Sequence, residues 1–481
     1  RVRKYSMAQN RYKKLMGNTL IFAIGTFSSK VLVFLMLPYY TNILSTGEYG
    51  TVDALINVGQ LMIPIASVGI NNAVIRFGLE KGTDKSSVFS SGLYTILMGF
   101  VCLAVVSPVL TLLMDFMSGY TIAVLAFVLA SSLRTLCTQF ALSMGYNKMY
   151  ATNGIINTFL NVILNIILLP HFRIMGYLMA NIFADILTGL LMFVLAKEHK
   201  YLISPVSRKM DRGLSKRMRK YALPLVPQTV CQWIINMSDR YMIILFINTQ
   251  ANGLYAAATK IPNILLVVAN LFADAWQISA VKESDPKEQV AFFSKVLGAY
   301  SSIAFIGSSG LIMISKVVMT FMVGKDFFIS WRYIPVLTLG TTFGLLSTFL
   351  ASVYMLRLKS KNSMVTTMIC AAVNITLNCI LIPVLGNHFG AFWGAMGAGI
   401  ATFISYFVLF LIRAIDTQKY LKIQWNIKKT LVSVVILFVQ ALIMTAEAPF
   451  WFVLVPALFV LLAAINAREI LLSVNKLLRR G

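Results

Sequence analysis

Charge is scarce in this sequence, and acid is the scarcer sign. Only 12% of its 481 residues are Asp, Glu, Lys or Arg, against 58% hydrophobic residues. A soluble globular chain carries about 25% charged and 45–50% apolar residues. So little charge over this length excludes a soluble domain with one anchor and points to many membrane crossings. Long polar stretches are also missing. The longest, residues 197–220, is too short for a folded soluble domain, which needs about 50 residues or more. The three His are scattered. The five Cys (Cys102, Cys137, Cys231, Cys370, Cys379) lie in apolar runs without CxxC or metal spacing. They read as small buried hydrophobes rather than disulfides or ligands. There is no P-loop, which excludes ATP hydrolysis in this chain. No metal-ligand cluster and no selectivity-filter signature occur, so no cofactor is expected. The outside loops are short and lack paired carboxylates, which argues against a glycosyltransferase or a polymerase. The first apolar run is too long for a signal-peptide core and has no small-residue cleavage site, so it is expected to stay as a span.

What is present is a succession of apolar runs. A bilayer core takes about 20 apolar residues per helix. That rule predicts an all-α polytopic membrane protein of fourteen spans: 18–42, 52–75, 88–113, 120–144, 150–170, 174–196, 221–247, 253–280, 296–321, 333–356, 363–383, 390–413, 428–446 and 450–471. Tight breaks such as "PHFRIMG", "INTQANG" and "GNHFG" separate several of them. With the N-terminus placed in the cytoplasm, 34 of the 42 Lys and Arg fall in inside segments. Only Arg173, Lys325 and Arg332 fall outside. This asymmetry orients the spans, with both termini cytoplasmic. It also accounts for most of the net charge of +25. Basic loops lie against an anionic leaflet, and nucleic acid is not needed as a partner.

The chain repeats itself. Asn161, Asn165 and Pro170 in "NGIINTFLNVILNIILLP" recur 213 residues later as Asn374, Asn378 and Pro383. "TGEYGTVDALIN" from Thr46 parallels "NGLYAAATKIPN" from Asn252 at an offset of 206. Spans 1–6 and 7–12 are therefore two parallel six-helix bundles with an extra helix pair appended. The expected organisation is a tail (1–17), a first lobe (18–196), a basic linker (197–220), a second lobe (221–413), a loop with spans 13–14 (414–472) and a C-terminal end (473–481). The linker reads as partly amphipathic and chiefly an orientation signal. In transporters built on such repeats the substrate path runs between the halves.

Charges inside spans are expensive and survive where they meet a partner or a water-filled cavity. The basic ones are Lys30, Arg134, Arg240, Lys260 and Lys316; the acidic ones are Asp185, Asp239 and Asp274. Lys316 is near enough to the outer surface to snorkel. Gln228, Gln232 and Asn236 lead to Asp239 and Arg240 in steps that keep to one helix face. Neighbouring residues differ by about 100° in direction, so Asp239 and Arg240 flank this stripe. Lys30, Arg134, Arg240 and Lys260 are the candidate cavity cations, and Gln228, Gln232 and Asn236 the candidate lining. Asp185, Asp239 and Asp274 are the candidates for charge balance or ion coupling, with Asp239 expected to hold Lys260 or another cation. The alternative is an ion cluster that only locks spans 7 and 8. Asn153, Asn157, Asn161 and Asn165 form a carboxamide ladder, expected to bond between helices.

"FSSKVLVFLMLPYYTNILSTGEYGTVDALINV", "PIASVGINNAVIRF", "SDRYMIILFINTQANGLYAAATKI" and "GAFWGAMGAGIATFISYFV" resemble the polysaccharide-repeat flippases of the multidrug/oligosaccharidyl-lipid/polysaccharide exporter superfamily. The resemblance implies two lobes forming a V around a central cationic cavity that opens to either side in turn. It implies a bacterial cytoplasmic-membrane transporter, not an enzyme. The implied cargo is an undecaprenyl-pyrophosphate-linked oligosaccharide for capsule or O-antigen export, with membrane lipids and polymerase machinery as partners. Lys30, Arg134, Arg240 and Lys260 fit the cationic character. A lipid II or teichoic-acid precursor flippase, a multidrug or cation antiporter and a non-transporting scaffold are the other readings. Coupling to protons, sodium or the membrane potential stays open.

Overall fold

The computed structural model describes residues 31–80, 82–204, 210–267, 269, 286–357 and 359–478. Every regular element among them is a helix. Eight of these helices are long and apolar enough to cross a membrane, and nine if one bent pair counts as a span. Of the fourteen expected spans, the first and the eighth lie partly outside the described residues. The chain divides into two compact units, Arg1–Met237 and Ser238–Gly481.

In the first unit, α1 (Leu37–Ile43) leads into α2 (Thr46–Ala66). A capping box starts α2: Ser45 accepts from the Glu48 N–H while Glu48 reaches back to Ser45. The bend of 54° between α2 and α3 (Ile70–Gly78) follows Pro64 and passes through Gly69 at φ 64°. A Cβ there would also lie 3.1 Å from the Ala222 carbonyl, so both conformation and close approach favour glycine. The Asp84 carboxylate caps α4 (Lys85–Leu113) through the Ser86 and Ser87 N–H groups. Then come α5 (Thr121–Ser143) and α6 (Asn147–Leu195).

At 49 residues α6 is one continuous element, but Arg173 (φ 47°, ψ −120°) breaks it. Asn153 Nδ2 donates to the Thr188 carbonyl at 2.7 Å across that break. The two halves therefore lie antiparallel, matching expected spans 5 and 6 on either side of "PHFRIMG". Arg173 pairs with Glu48 and ties this hairpin to the start of α2. The linker contains a short helix, α7 (Arg212–Ala222). Its Leu214, Met218 and Ala222, spaced by four, join Ile70, Val74, Phe89, Leu136 and Phe140 in the core of the unit. Ser91 and Ser215 hydroxyls meet at 2.5 Å beneath it.

Helix α8 (Leu225–Phe246) contains the division between the units. The second unit continues with α9 (Thr249–Thr259), α10 (Pro286–Met322), α11 (Ile334–Leu356), α12 (Ser360–Phe389) and α13 (Ala391–Asp416). α12 and α13 form a hairpin about Gly390, at φ 91°. The appended pair is α14 (Ile427–Ala446) and α15 (Trp451–Leu478). Gln440 of α14 joins it to α10: the Ser309 hydroxyl donates to Gln440 Oε1 at 2.6 Å, and Gln440 Nε2 donates to the Val455 carbonyl at 3.2 Å. The repeat is visible in the bonds. Asn165 Nδ2 donates to Asn161 Oδ1 at 3.0 Å, and Asn378 Nδ2 to Asn374 Oδ1 at 3.1 Å.

Candidate functional site

Among the described residues, each unit has a buried Asp caged by polar side chains from several helices. In the first unit it is Asp185, in the second half of α6. Arg134 Nε of α5 stands 2.8 Å from Asp185 Oδ1. The Arg134 Nε–H has no aligned acceptor, so the contact is an ion pair rather than a hydrogen bond. The Ser131 hydroxyl donates to the other carboxylate oxygen. Asn157 Nδ2, from the opposite half of α6, donates to Asp185 Oδ1 at 2.9 Å and to the Thr188 hydroxyl at 3.0 Å. Gly189 lets the helices close up, since a Cβ there would sit 3.3 Å from Arg134 Cα. Sequence placed Arg134 among the cavity cations and Asp185 among the acids. The structure brings the two together, so Arg134 has a counter-ion. An apolar cavity of about 300 Å3 opens beside the pair, walled by Phe89, Leu93, Ile186, Leu190 and Phe193.

In the second unit the acid is Asp239 of α8, 8% exposed. Its described partners are neutral. Tyr255 OH of α9 donates at 3.0 Å, Asn378 Nδ2 of α12 at 2.6 Å, and the Thr402 hydroxyl of α13 completes the cage. Asn374 sits behind them, its amide reaching Thr402 Oγ1 at 3.3 Å and its oxygen accepting from the Ser238 hydroxyl at 3.2 Å. Sequence expected Asp239 to hold Lys260 or another cation. The described hydrogen bonds to the carboxylate come from three oriented neutral donors, which themselves favour its charged form. Arg240 points elsewhere, as the turn of about 100° between neighbours requires. It is buried, and Nη2 donates to the Thr259 hydroxyl at the end of α9 at 3.0 Å. Lys260 follows as the half-buried C-cap of α9. Asn236 is exposed on α8. The side chains of Gln228 and Gln232, and all of Lys30 and Asp274, lie outside the described residues.

Two groups escaped the sequence reading. Arg413 is 5% exposed and has no carboxylate partner among the described residues. Nε donates to the Thr366 hydroxyl at 3.1 Å, Nη1 to the Ser347 carbonyl at 3.0 Å and Nη2 to the Thr367 hydroxyl at 2.9 Å. Sequence counted it as cytoplasmic because it closes the span ending at 413; the helix runs on to Asp416. Glu198 is fully buried in the short turn Glu198–Tyr201 that follows α6. Burial pushes its carboxyl up to about 8, with the Cys137 thiol a smaller opposing influence. Lys316, expected to snorkel, shares Glu447 with Arg332 and lies 5.1 and 5.0 Å from the Trp331 and Trp451 ring centres. The two cations hold the Glu447 carboxyl below its usual range. Among the described residues, no group of three or more His, Cys, Asp or Glu could hold a metal ion.

This chain is similar in fold to several solved transporters. The lipid II flippase MurJ in an inward closed conformation superposes with a TM-score of 0.64 at 15% identity, covering 93% of this chain and 98% of that one. An inward-facing multidrug resistance MATE family transporter of the MOP superfamily gives 0.65 at 13% identity, covering 83% and 98%. A Vibrio cholerae MATE transporter mutant gives 0.53 at 14%, covering 85% and 97%. No curated protein matches the sequence. The polysaccharide biosynthesis protein family model matches residues 15–276, more than half of the chain. With its many apolar helices, this is a multi-pass membrane protein, and the chain belongs to the polysaccharide biosynthesis protein family.

Proposed function

We propose that the protein flips undecaprenyl-pyrophosphate-linked oligosaccharide repeat units across the bacterial cytoplasmic membrane for cell-surface polysaccharide synthesis. The proposal includes fourteen spans, cytoplasmic termini and two six-helix lobes around a central cavity that opens alternately to either side. The observation that carries it is the polysaccharide family match over residues 15–276. The cargo chemistry agrees. A pyrophosphate cannot cross about 30 Å of hydrocarbon unaided, and fixed positive charge replaces part of its hydration. In this reading Arg240 and Lys260, with Lys30 and Arg134, face the anion, and Gln228, Gln232 and Asn236 line its path. Asp185, Asp239 and Asp274 balance charge or couple an ion. Asp239 suits coupling best, because neutral donors hold it and a proton or small cation would change the charge of the cage.

A second reading takes lipid II or a teichoic-acid precursor as cargo. It draws on the likeness to the MurJ structure, which spans 93% of this chain. Reconstitution into vesicles with labelled lipid-pyrophosphate oligosaccharide, lipid II and a cationic drug separates the readings. Protection of the oligosaccharide label, with or without an imposed proton, sodium or electrical gradient, is the expected result. Transport of the drug alone, or of nothing, would overturn the proposal.

A further inference from the structure

A cleft with one polar side lies where α3, the end of α7 and the start of α8 meet. It is an open groove of about 600 Å3, within the range of small-molecule sites. One side is polar: Asn72, Arg76, Tyr221 and Thr229. The other is apolar: Ile75, Leu79 and Leu225. Arg76, the Asn72 amide and the Tyr221 hydroxyl have no hydrogen-bond or ion-pair partner among the described residues. The Tyr221 ring is held edge-on to Phe77, with centroids 5.9 Å apart. The Thr229 hydroxyl donates to the Leu225 carbonyl at 3.1 Å, leaving its oxygen able to accept. Three donor groups, one of them a permanent cation, therefore line one cleft with no partner among the described residues.

The surroundings specify the ligand further. Arg212, Lys216, Arg217, Arg219 and Lys220 stand exposed on the outer face of α7. Asp211, the acid nearest to them in sequence, is occupied as the N-cap, accepting from the Leu214 N–H at 2.9 Å. Cations draw an anion toward this end of the unit. The apolar side continues onto Leu79 and Leu223, 62% and 60% exposed. A free phosphate would leave that side uncovered. The charge asymmetry of the sequence puts these helix ends at the cytoplasmic leaflet.

We propose that this cleft binds the phosphate of a membrane lipid on the cytoplasmic side. Arg76 contacts the anion and the Asn72 amide and Tyr221 hydroxyl donate to it. Ile75, Leu79 and Leu225 pack on the first carbons of the chain. The assignment needs a membrane but not flipping, so it stands or falls apart from the transport reading. The full-length protein in phosphatidylcholine nanodiscs would be photolabelled with a photoreactive polyprenyl phosphate, photoreactive phosphatidylglycerol or a neutral photoreactive diacylglycerol, and the labelled peptides mapped. Phosphate-bearing probes should label 72–79 and 221–229. The first probe working alone identifies a polyprenyl phosphate, and both working identifies lipid phosphate in general. R76Q should lower labelling about tenfold, as loss of a charge-assisted contact does, and R76K should restore part of it. Tyr221→Phe keeps the ring and should lose less. Lys422→Gln, exposed in the second unit, should label as wild type. Equal labelling by diacylglycerol, no loss in a monodisperse R76Q protein, or complete competition by inorganic pyrophosphate would each overturn the assignment.

Discussion

Glu198 should make the stability of this protein fall as pH rises through neutrality. The left-handed Lys197 (φ 53°) turns the chain at the end of α6. Tyr201 then packs on Phe140, its carbonyl accepts from the Ser90 hydroxyl at 3.0 Å, and the turn is fixed with Glu198 inward. Neither carboxylate oxygen has a hydrogen-bond partner of ordinary geometry. Desolvation therefore favours the neutral acid, and the carboxyl rises from 4.5 to about 8. A raised acid keeps its proton in the folded protein after the unfolded chain has lost it. Its contribution is complete below about pH 4.5 and is lost as pH climbs to about 8. At about 1.4 kcal/mol per pH unit, the span amounts to about 5 kcal/mol. The assay is apparent melting in detergent, followed by tryptophan fluorescence from pH 5 to 8.5, on wild type and Glu198→Gln. Both share the background slope of the three His, so their difference isolates Glu198. The variant should match or fall slightly below wild type at pH 5 and melt several degrees higher at pH 8. Parallel pH profiles would refute the reasoning.

Asp239→Asn turns an acceptor into a partial donor facing Tyr255, Asn378 and Thr402. It should lose about 2 kcal/mol of stability, read as a lower apparent melting temperature. Arg240→Gln should abolish label protection in the vesicle assay while the protein stays monodisperse; wild-type translocation would reduce Arg240 to a helix tie. Glu447→Gln frees Lys316 and Arg332. These groups are about 30% exposed, so the loss at pH 7 should be about 1 kcal/mol or less. The Glu447 carboxyl is lowered, so its contribution is present above the usual carboxylate range and lost on acidification. The gap between wild type and Glu447→Gln should therefore narrow as the pH is lowered below the usual carboxylate range.

The fold was legible because its signals are periodic and local. Apolar runs of bilayer length, the turn at "PHFRIMG" and the repeated asparagines each depend on a few neighbouring residues. They reappear as the hairpin of α6 and as matching Asn bonds in α6 and α12. The candidate site was legible only as a roster of charges. Sequence showed that Asp239 and Arg240 could not point the same way, but not that Asn378 and Thr402, over a hundred residues away, would receive the acid. Arg413 was missed because a hydropathy boundary fell on it. Glu198 was missed because a charged linker reads as solvated, whereas a left-handed residue folds this one inward.

The repeat sharpens what the charges mean. Asn165 and Asn378 occupy equivalent places, are fully buried, and each keeps a side-chain oxygen without a partner among the described residues. Their scaffold role has therefore been copied down to its unsatisfied atom. The acids have not been copied. Asn378 holds Asp239, yet 206 residues before Asp239 the sequence has Val33. The first unit instead carries its acid on the second half of α6, where Asn157 and Arg134 meet it. A duplicated bundle that needed these acids only for packing would be expected to repeat them with the asparagines. The described hydrogen bonds and ion pairs of the two cages differ as well: a guanidinium meets Asp185, whereas neutral donors meet Asp239. That difference makes Asp239 the better candidate for a group whose charge changes during the working cycle, and Asp185 the better candidate for a fixed counter-ion.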